Sequence, residues 1–202
     1  MPDLKEAWQL AWADFNLHAP AGLCEELLAA YEEPQRHYHS TQHLAECLQG
    51  FEEVQHLAQR PAEVALALWF HDAVYDVHGR DNEEQSAAWA RQALSTAGVQ
   101  ADVAERVYEL VMATRHTSAP AAGDAQLLVD IDLSILGADV QRFAQYEQQI
   151  RKEYAFVPED LFRTKRKEVL QSFAARPRIY GTDHFHAALE ARARVNLAQA
   201  VA

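Results

Sequence analysis

The chain has 202 residues, 49% hydrophobic and 24% charged, which is enough apolar material for a sizeable core and excludes a disordered tail. Acidic residues outnumber basic ones 30 to 18, for a formal charge of -12, which argues against unassisted attraction to a nucleic-acid backbone or an anionic membrane. The two cysteines, Cys24 and Cys47, stand in no metal-type spacing, so no disulfide framework is expected and a reducing cytoplasm is the expected compartment.

Taken in order, the apolar positions recur at three and four rather than two and predict helices over 3–17, 21–32, 41–59, 62–76, 82–97, 101–115, 125–136, 139–154, 159–175 and 184–200. Breakers support the cuts: Pro34, Gly79, Gly98, "SAPAAGD" at 118–124, Gly137, Pro158, Pro177 and Gly181. The pattern predicts no strand. The N-terminal "MPDLKEAWQL" lacks the basic flank and apolar core of a signal peptide, and no later run approaches bilayer length. The expectation is one all-α domain over 1–202, with a site region at about 36–136 and helices 139–200 packing on it.

Histidines and carboxylates interrupt the apolar helices at particular points. In "ALALWFHDAVYD", His71 and Asp72 follow an apolar run where a helix should bury its face. A buried carboxylate without a partner costs several kcal/mol or is driven neutral, so a positive group is expected to meet Asp72. The structural alternative has His71 capping the helix or donating to a backbone carbonyl, while Asp72 pairs with an arginine such as Arg36 or Arg115. Upstream, "RHYHSTQHL" spaces His39 and His43 one helical turn apart, and a cap at Ser40 or Thr41 would put His43 in a first turn. Downstream, "DAQLLVDIDLSILG" carries Asp130 and Asp132, which diverge by about 200° on an ideal helix, so only one of them can face a given point. Helices of a bundle can carry His43, the His71-Asp72 pair and Asp132 to one interior point. Such a mixed nitrogen and oxygen set suits magnesium or a divalent first-row ion. The ion would supply the charge Asp72 needs.

The order His, His-Asp, Asp on an all-helical chain resembles the HD superfamily of metal-dependent phosphohydrolases, and most closely a bacterial branch described as predicted metal-dependent HD phosphohydrolases. The similarity lies in "YHSTQHL" at 38–44, "FHDAVYD" at 70–76, "DNEEQSA" at 81–87, "VDIDLSILG" at 129–137, "RPRIYGTDHF" at 176–185 and "EARARVNL" at 190–197. The resemblance implies an HD-domain-like bundle of nine or ten helices with His43, His71, Asp72 and Asp132 as metal ligands. Asp132 is preferred because the family's last ligand usually lies just before a leucine-containing turn; Asp130 would then orient a ligand from behind.

The implied reaction is hydrolysis of a small phosphate ester, a phosphomonoester or nucleotide, in the cytoplasm. A bound divalent ion lowers the pKa of its water from about 15.7 to as little as about 7 and polarises a phosphoryl oxygen. Manganese, magnesium, cobalt, iron, nickel and zinc all fit, and a second ion is left open. His39 is the first candidate for the acid that protonates the leaving oxygen, against a cap or surface role. His116, at a predicted helix end, is a phosphate contact, an acid or a second-metal ligand, or else an imidazolium favoured there by the helix dipole. Asp76 is expected one turn beyond Asp72 on the same helix face, holding a water or a neighbouring lysine or arginine. Glu83 either lies beside the site or serves the first turn of a helix capped by Asp81 or Asn82. Arg163 and Arg166, in "FRTKRKEVLQSF", either clamp phosphate or form an exposed face paired with Glu159, Asp160 and Glu168. Arg192 and Asn196 either close the pocket or tie down the last helix. Loops 77–82 and 117–124 are expected to carry specificity. The expected ligand is thus a small phosphorylated metabolite or nucleotide, with no long nucleic acid and no membrane. A regulatory module that binds metal and nucleotide without turnover is the alternative. A di-iron oxygenase is disfavoured, because only His116 or His78 could add to the ligand set.

Overall fold

The run "VALALWF" is apolar on every face, and a helix of that kind belongs inside its unit rather than on its surface. A computed structural model, which describes residues 3–15, 17–116 and 120–202, places it so. Helix α4 (Pro61–Phe70) is contacted by α1 (Leu4–Ala13), α3 (Thr41–Val54), α5 (Asn82–Thr96) and α6 (Ala101–Met112), while α2 (Leu23–Tyr31) packs on α3. Val64, Leu66, Ala67, Leu68, Trp69 and Phe70 have no exposed surface. Each large side chain so buried contributes about 1.5–3 kcal/mol. Trp8 of α1 meets Trp69 edge-on with ring centroids 5.0 Å apart and Trp12 at 5.6 Å, geometries worth about 0.5–1.5 kcal/mol each beyond burial.

Polar groups fix the start of α4. Pro61 occupies the first turn, where its missing N–H costs nothing. The preceding amides of Gln59 and Arg60 donate to the Asp124 carboxylate at 2.7 and 2.9 Å. The one buried charge of the helix, Glu63, accepts a bidentate pair from Arg106 at 2.7 and 2.8 Å.

The expected element order holds, with ten α-helices and no strand among the described residues. Contacts cluster into two compact units, residues 1–129 and 130–202. Helix α7 (Asp124–Asp132) begins in the first and ends in the second. The second continues through a 3-10 turn (Leu133–Gly137), α8 (Val140–Glu153), α9 (Glu159–Ala174) and α10 (Asp183–Val201). Asp139 caps α8 by accepting from the amides of Gln141 and Arg142, and Thr182 caps α10 by accepting from Phe185. No helix among the described residues is long and apolar enough to cross a membrane.

Two buried acids organise the second unit. Asp130 has no exposure and accepts from the Gly181 amide at 2.9 Å, the Thr182 amide at 2.7 Å and the Thr182 hydroxyl at 2.6 Å. Glu190 accepts from the amides of Ile179 and Tyr180 and pairs with Arg194 at 2.6 Å. The segment "RPRIYGTD" therefore has a structural role. Its amides close on these carboxylates, and the Tyr180 hydroxyl donates to the Leu133 carbonyl at 3.0 Å.

Burial pushes the Glu190 carboxyl up, but the two amides and Arg194 pull it further down, to a net position below the ordinary carboxylate value. A carboxyl lowered on folding contributes stability above its unfolded pKa, about 4.3, and loses it as pH falls through the folded value. Glu190→Gln is therefore expected to be less stable than the parent at pH 7 in urea denaturation, with the gap closing as the solution is acidified below about pH 4. A gap independent of pH would show that shape, not charge, holds the segment.

Candidate metal centre

Why α4 stops at Phe70, six residues short of the predicted end, is a matter of where its last carbonyls go. A helix end leaves such groups without partners inside the helix. Here the Leu68 carbonyl accepts from His71 Nδ1 at 2.7 Å, that of Trp69 from the Tyr31 hydroxyl at 3.2 Å, and that of Phe70 from the Ala73 amide at 3.0 Å. Beyond His71, the carbonyls of Asp72 and Ala73 accept from Arg36 at 2.5 and 2.9 Å. Arg36 is buried and also holds the His39 carbonyl and the Glu33 carboxylate, so it joins the segment before α3 to the turn after α4. Residues 71–78 are consequently turn and coil rather than helix.

Half of the structural alternative is thus realised. His71 does donate to a carbonyl, and Arg36 does reach Asp72, but at its backbone. A carbonyl can only accept, so the His71 proton sits on Nδ1 and the lone pair sits on Nε2, the form in which imidazole ligates a metal.

That lone pair is not pointed at apolar surroundings. Ser40 caps α3 by accepting from the Gln42 amide, which puts His43 in the first turn of the helix with its face inward. His43 Nε2 lies 3.1 Å from His71 Nε2. Asp72 Oδ2 lies 3.1 Å from His71 Nε2 and 3.5 Å from His43 Nε2. Donors held about 2.0–2.2 Å from one ion stand roughly 3.0 Å apart in octahedral and 3.5 Å apart in tetrahedral geometry. The three separations fall within that range. Burial pushes the Asp72 carboxyl up, but the imidazoles of His71, His39 and His43 take it further down, well below the usual carboxylate range. Burial also holds the Tyr31 phenol far above its usual value, so the hydroxyl beside the pair stays neutral.

Cys47 joins the same cluster. It follows His43 by one turn of α3, is buried, and places Sγ 3.7 Å from both ring nitrogens of His43. One donor atom from each of His43, Cys47 and His71 lies within 4.8 Å of the others. Sequence reasoning misses this cysteine when it weighs cysteines only as pairs. Its spacing of four from His43 is the available signal.

The remaining expected residues fall in distinct places. His39 is half-buried and stacks on Tyr75 with centroids 3.9 Å apart and ring planes 24° apart. Asp76 is exposed, and its carboxylate accepts from the His78 amide at 2.9 Å within a turn; the expected helical face shared with Asp72 does not exist, because α4 has already ended. The motif "DNEEQSA" holds this turn: Asn82 exchanges two hydrogen bonds with the Asp76 backbone, and Ser86 bonds the Val74 amide at 2.9 Å. Asp81 holds the cap position of α5 without a side-chain bond. Glu83, in the first turn of α5, lies 3.8 Å from Arg115. His116 takes a left-handed conformation, φ 54°, at the end of the 3-10 turn that follows α6. Residues 77–82 are described, whereas 117–119 of the second expected loop lie outside the described residues.

In the second unit, Asp132 ends α7 half-buried, while the Asp130 carboxylate is engaged by Gly181 and Thr182. Asp130 therefore staples residues 181 and 182 to the end of α7. The basic residues expected either to clamp phosphate or to form an exposed paired face are each engaged by a partner within this unit. Arg163 is solvent-facing and pairs with Glu159 at 3.3 Å; Arg166 is half-buried, paired with Glu147 at 2.5 Å and set over the Tyr146 ring. Arg192 donates to the Gly137 carbonyl, and Asn196 donates to the carbonyls of Leu136 and Ala138 at 2.9 Å each, so both tie down the last helix.

Fold and cluster together define an all-helical chain with a buried histidine and cysteine group able to hold a metal ion. The chain matches no protein-family model, no curated protein and no solved structure, so functional assignment starts from the chemistry of that group.

Proposed function

We propose that the chain is a metal-dependent phosphohydrolase acting on a small phosphate ester, a phosphomonoester or nucleotide. The observation that carries the reading is the convergence of His43 Nε2, His71 Nε2 and Asp72 Oδ2 at 3.1 to 3.5 Å, with the His71 proton committed to Leu68 on the far side of the ring. The ordered motifs that resemble the HD superfamily support it and supply Asp132 as the fourth ligand. The commitment of Asp130 to residues 181 and 182 favours that choice between the two acids.

A divalent ion bound there supplies Lewis acidity toward a phosphoryl oxygen and an acidified water. The chain supplies the rest. Asp72 stays ionised and neutralises part of the ion's charge, and Arg36 holds the backbone turn that presents it. Tyr75 supports the His39 ring by stacking, which suits His39 to deliver a proton to the leaving oxygen. The formal charge of -12 disfavours a long polyanionic substrate and suits a small phosphate drawn to the ion itself.

The test is metal analysis of the purified protein, followed by phosphate release from nucleotides and sugar phosphates with added manganese, cobalt, magnesium or zinc. About one equivalent of ion and release that depends on it are expected. Stoichiometric ion with no release across a broad panel would favour the regulatory module. Failure to bind any ion under all loading conditions would remove the centre.

A further inference from the structure

Cys47 is unexplained by the motif that the other residues resemble, which uses only nitrogen and oxygen donors. A buried cysteine on a helix face usually serves as a small apolar filler. This one faces the donor cluster, with Sγ 3.7 Å from the His43 ring nitrogens and within 4.8 Å of the ligating atoms of His43 and His71. Zinc binds sulfur at about 2.3 Å and imidazole nitrogen at about 2.0–2.1 Å, so a tetrahedral pair of such donors stands about 3.5 Å apart. The observed spacing is within reach of that by a small rotation of one side chain.

We infer that Cys47 is itself a ligand of the ion, and that by adding a sulfur donor to the two imidazoles and the carboxylates of the proposed set it selects a thiophilic divalent ion, zinc or cobalt, over magnesium and manganese. This rests on the metal-centre reading above and goes beyond it by naming the class of ion. Thiolate donors select soft and borderline ions, whereas magnesium and manganese prefer oxygen. On binding, the thiol releases its proton to solvent as the sulfur to metal bond forms. Helical register makes the arrangement possible: His43 and Cys47 stand four residues apart on one buried face of α3, so one rigid element offers two donors.

The experiment is titration of chelator-treated protein with cobalt(II), followed by absorption, for the parent and for Cys47→Ser and Cys24→Ser. The parent and Cys24→Ser are expected to take up about one equivalent with an intense thiolate-to-cobalt charge-transfer band in the near ultraviolet. Cys47→Ser is expected to lack the band and to lose at least about tenfold of the preference for zinc over manganese, since even partners behind a ligand are worth 10–100-fold. X-ray absorption of the zinc-loaded parent gives a readout independent of any variant: one sulfur neighbour at about 2.3 Å is expected. Cobalt bound without the band, a band that survives Cys47→Ser, or a zinc shell without sulfur would overturn the assignment while leaving the metal centre in place. No ion bound at all would overturn both.

Discussion

His71→Ala is expected to purify without metal and to show affinity for the ion lowered by more than about 100-fold, because loss of a partner behind a ligand already costs 10–100-fold. Phosphate release should fall with it. The alanine also strips the Leu68 carbonyl of its donor, at a cost of about 1–3 kcal/mol, so ligand loss and fold damage need separating. His71→Asn does this, since the amide nitrogen can still reach the Leu68 carbonyl while nothing replaces Nε2. Near-parental stability in urea together with lost metal is the expected pattern. The two downstream acids should divide in the same way. Asp132→Ala is expected to weaken metal binding with little loss of stability, and Asp130→Ala to lose stability by stranding the donors of Gly181 and Thr182. Metal retained at parental affinity in His71→Asn would refute the assignment of Nε2.

The largest effect on stability is expected at Arg36, which meets no ligand side chain in the proposed set. Its buried guanidinium bonds the carbonyls of Asp72, Ala73 and His39 and the Glu33 carboxylate, and lies over the rings of Tyr31 and Tyr75. Arg36→Ala leaves buried carbonyls without donors and is expected to cost about 3–5 kcal/mol. At about 2–4 °C per kcal/mol for a chain of this size, the midpoint of thermal unfolding should fall by roughly 10 °C. Arg36→Lys should recover less than half of that, because an ammonium cannot fork across two carbonyls. A small effect of Arg36→Ala would mean that water satisfies these carbonyls and that the turn is set elsewhere.

Helices are largely legible in the sequence because each depends on local pattern. Apolar spacing marks their bodies, and Ser40, Pro61, Asp139 and Thr182 sit at or beside their starts. The end of α4 is not legible. "AVYD" continues the apolar pattern, and the groups that stop the helix, Tyr31 and Arg36, lie far upstream in the chain. Asp76 is misplaced by sequence reasoning for that reason. The His43 and His71-Asp72 cluster can be read from the sequence, because residue type and order carry it. The stapling role of Asp130 cannot, because its donors lie some fifty residues away at 181 and 182. Arg166 and Arg192 illustrate the same limit, since the sequence does not reveal that one is paired with Glu147 and the other with a carbonyl.

One ring does two jobs at the end of α4. His71 closes the helix with one nitrogen and turns the other toward the cluster. An ion held there is therefore expected to oppose fraying of that terminus, and fraying to favour the ion's escape. Occupancy should then be legible in the backbone: deuterium uptake at the amides of Trp69, Phe70 and Ala73 is expected to be slower in metal-loaded than in chelator-treated protein.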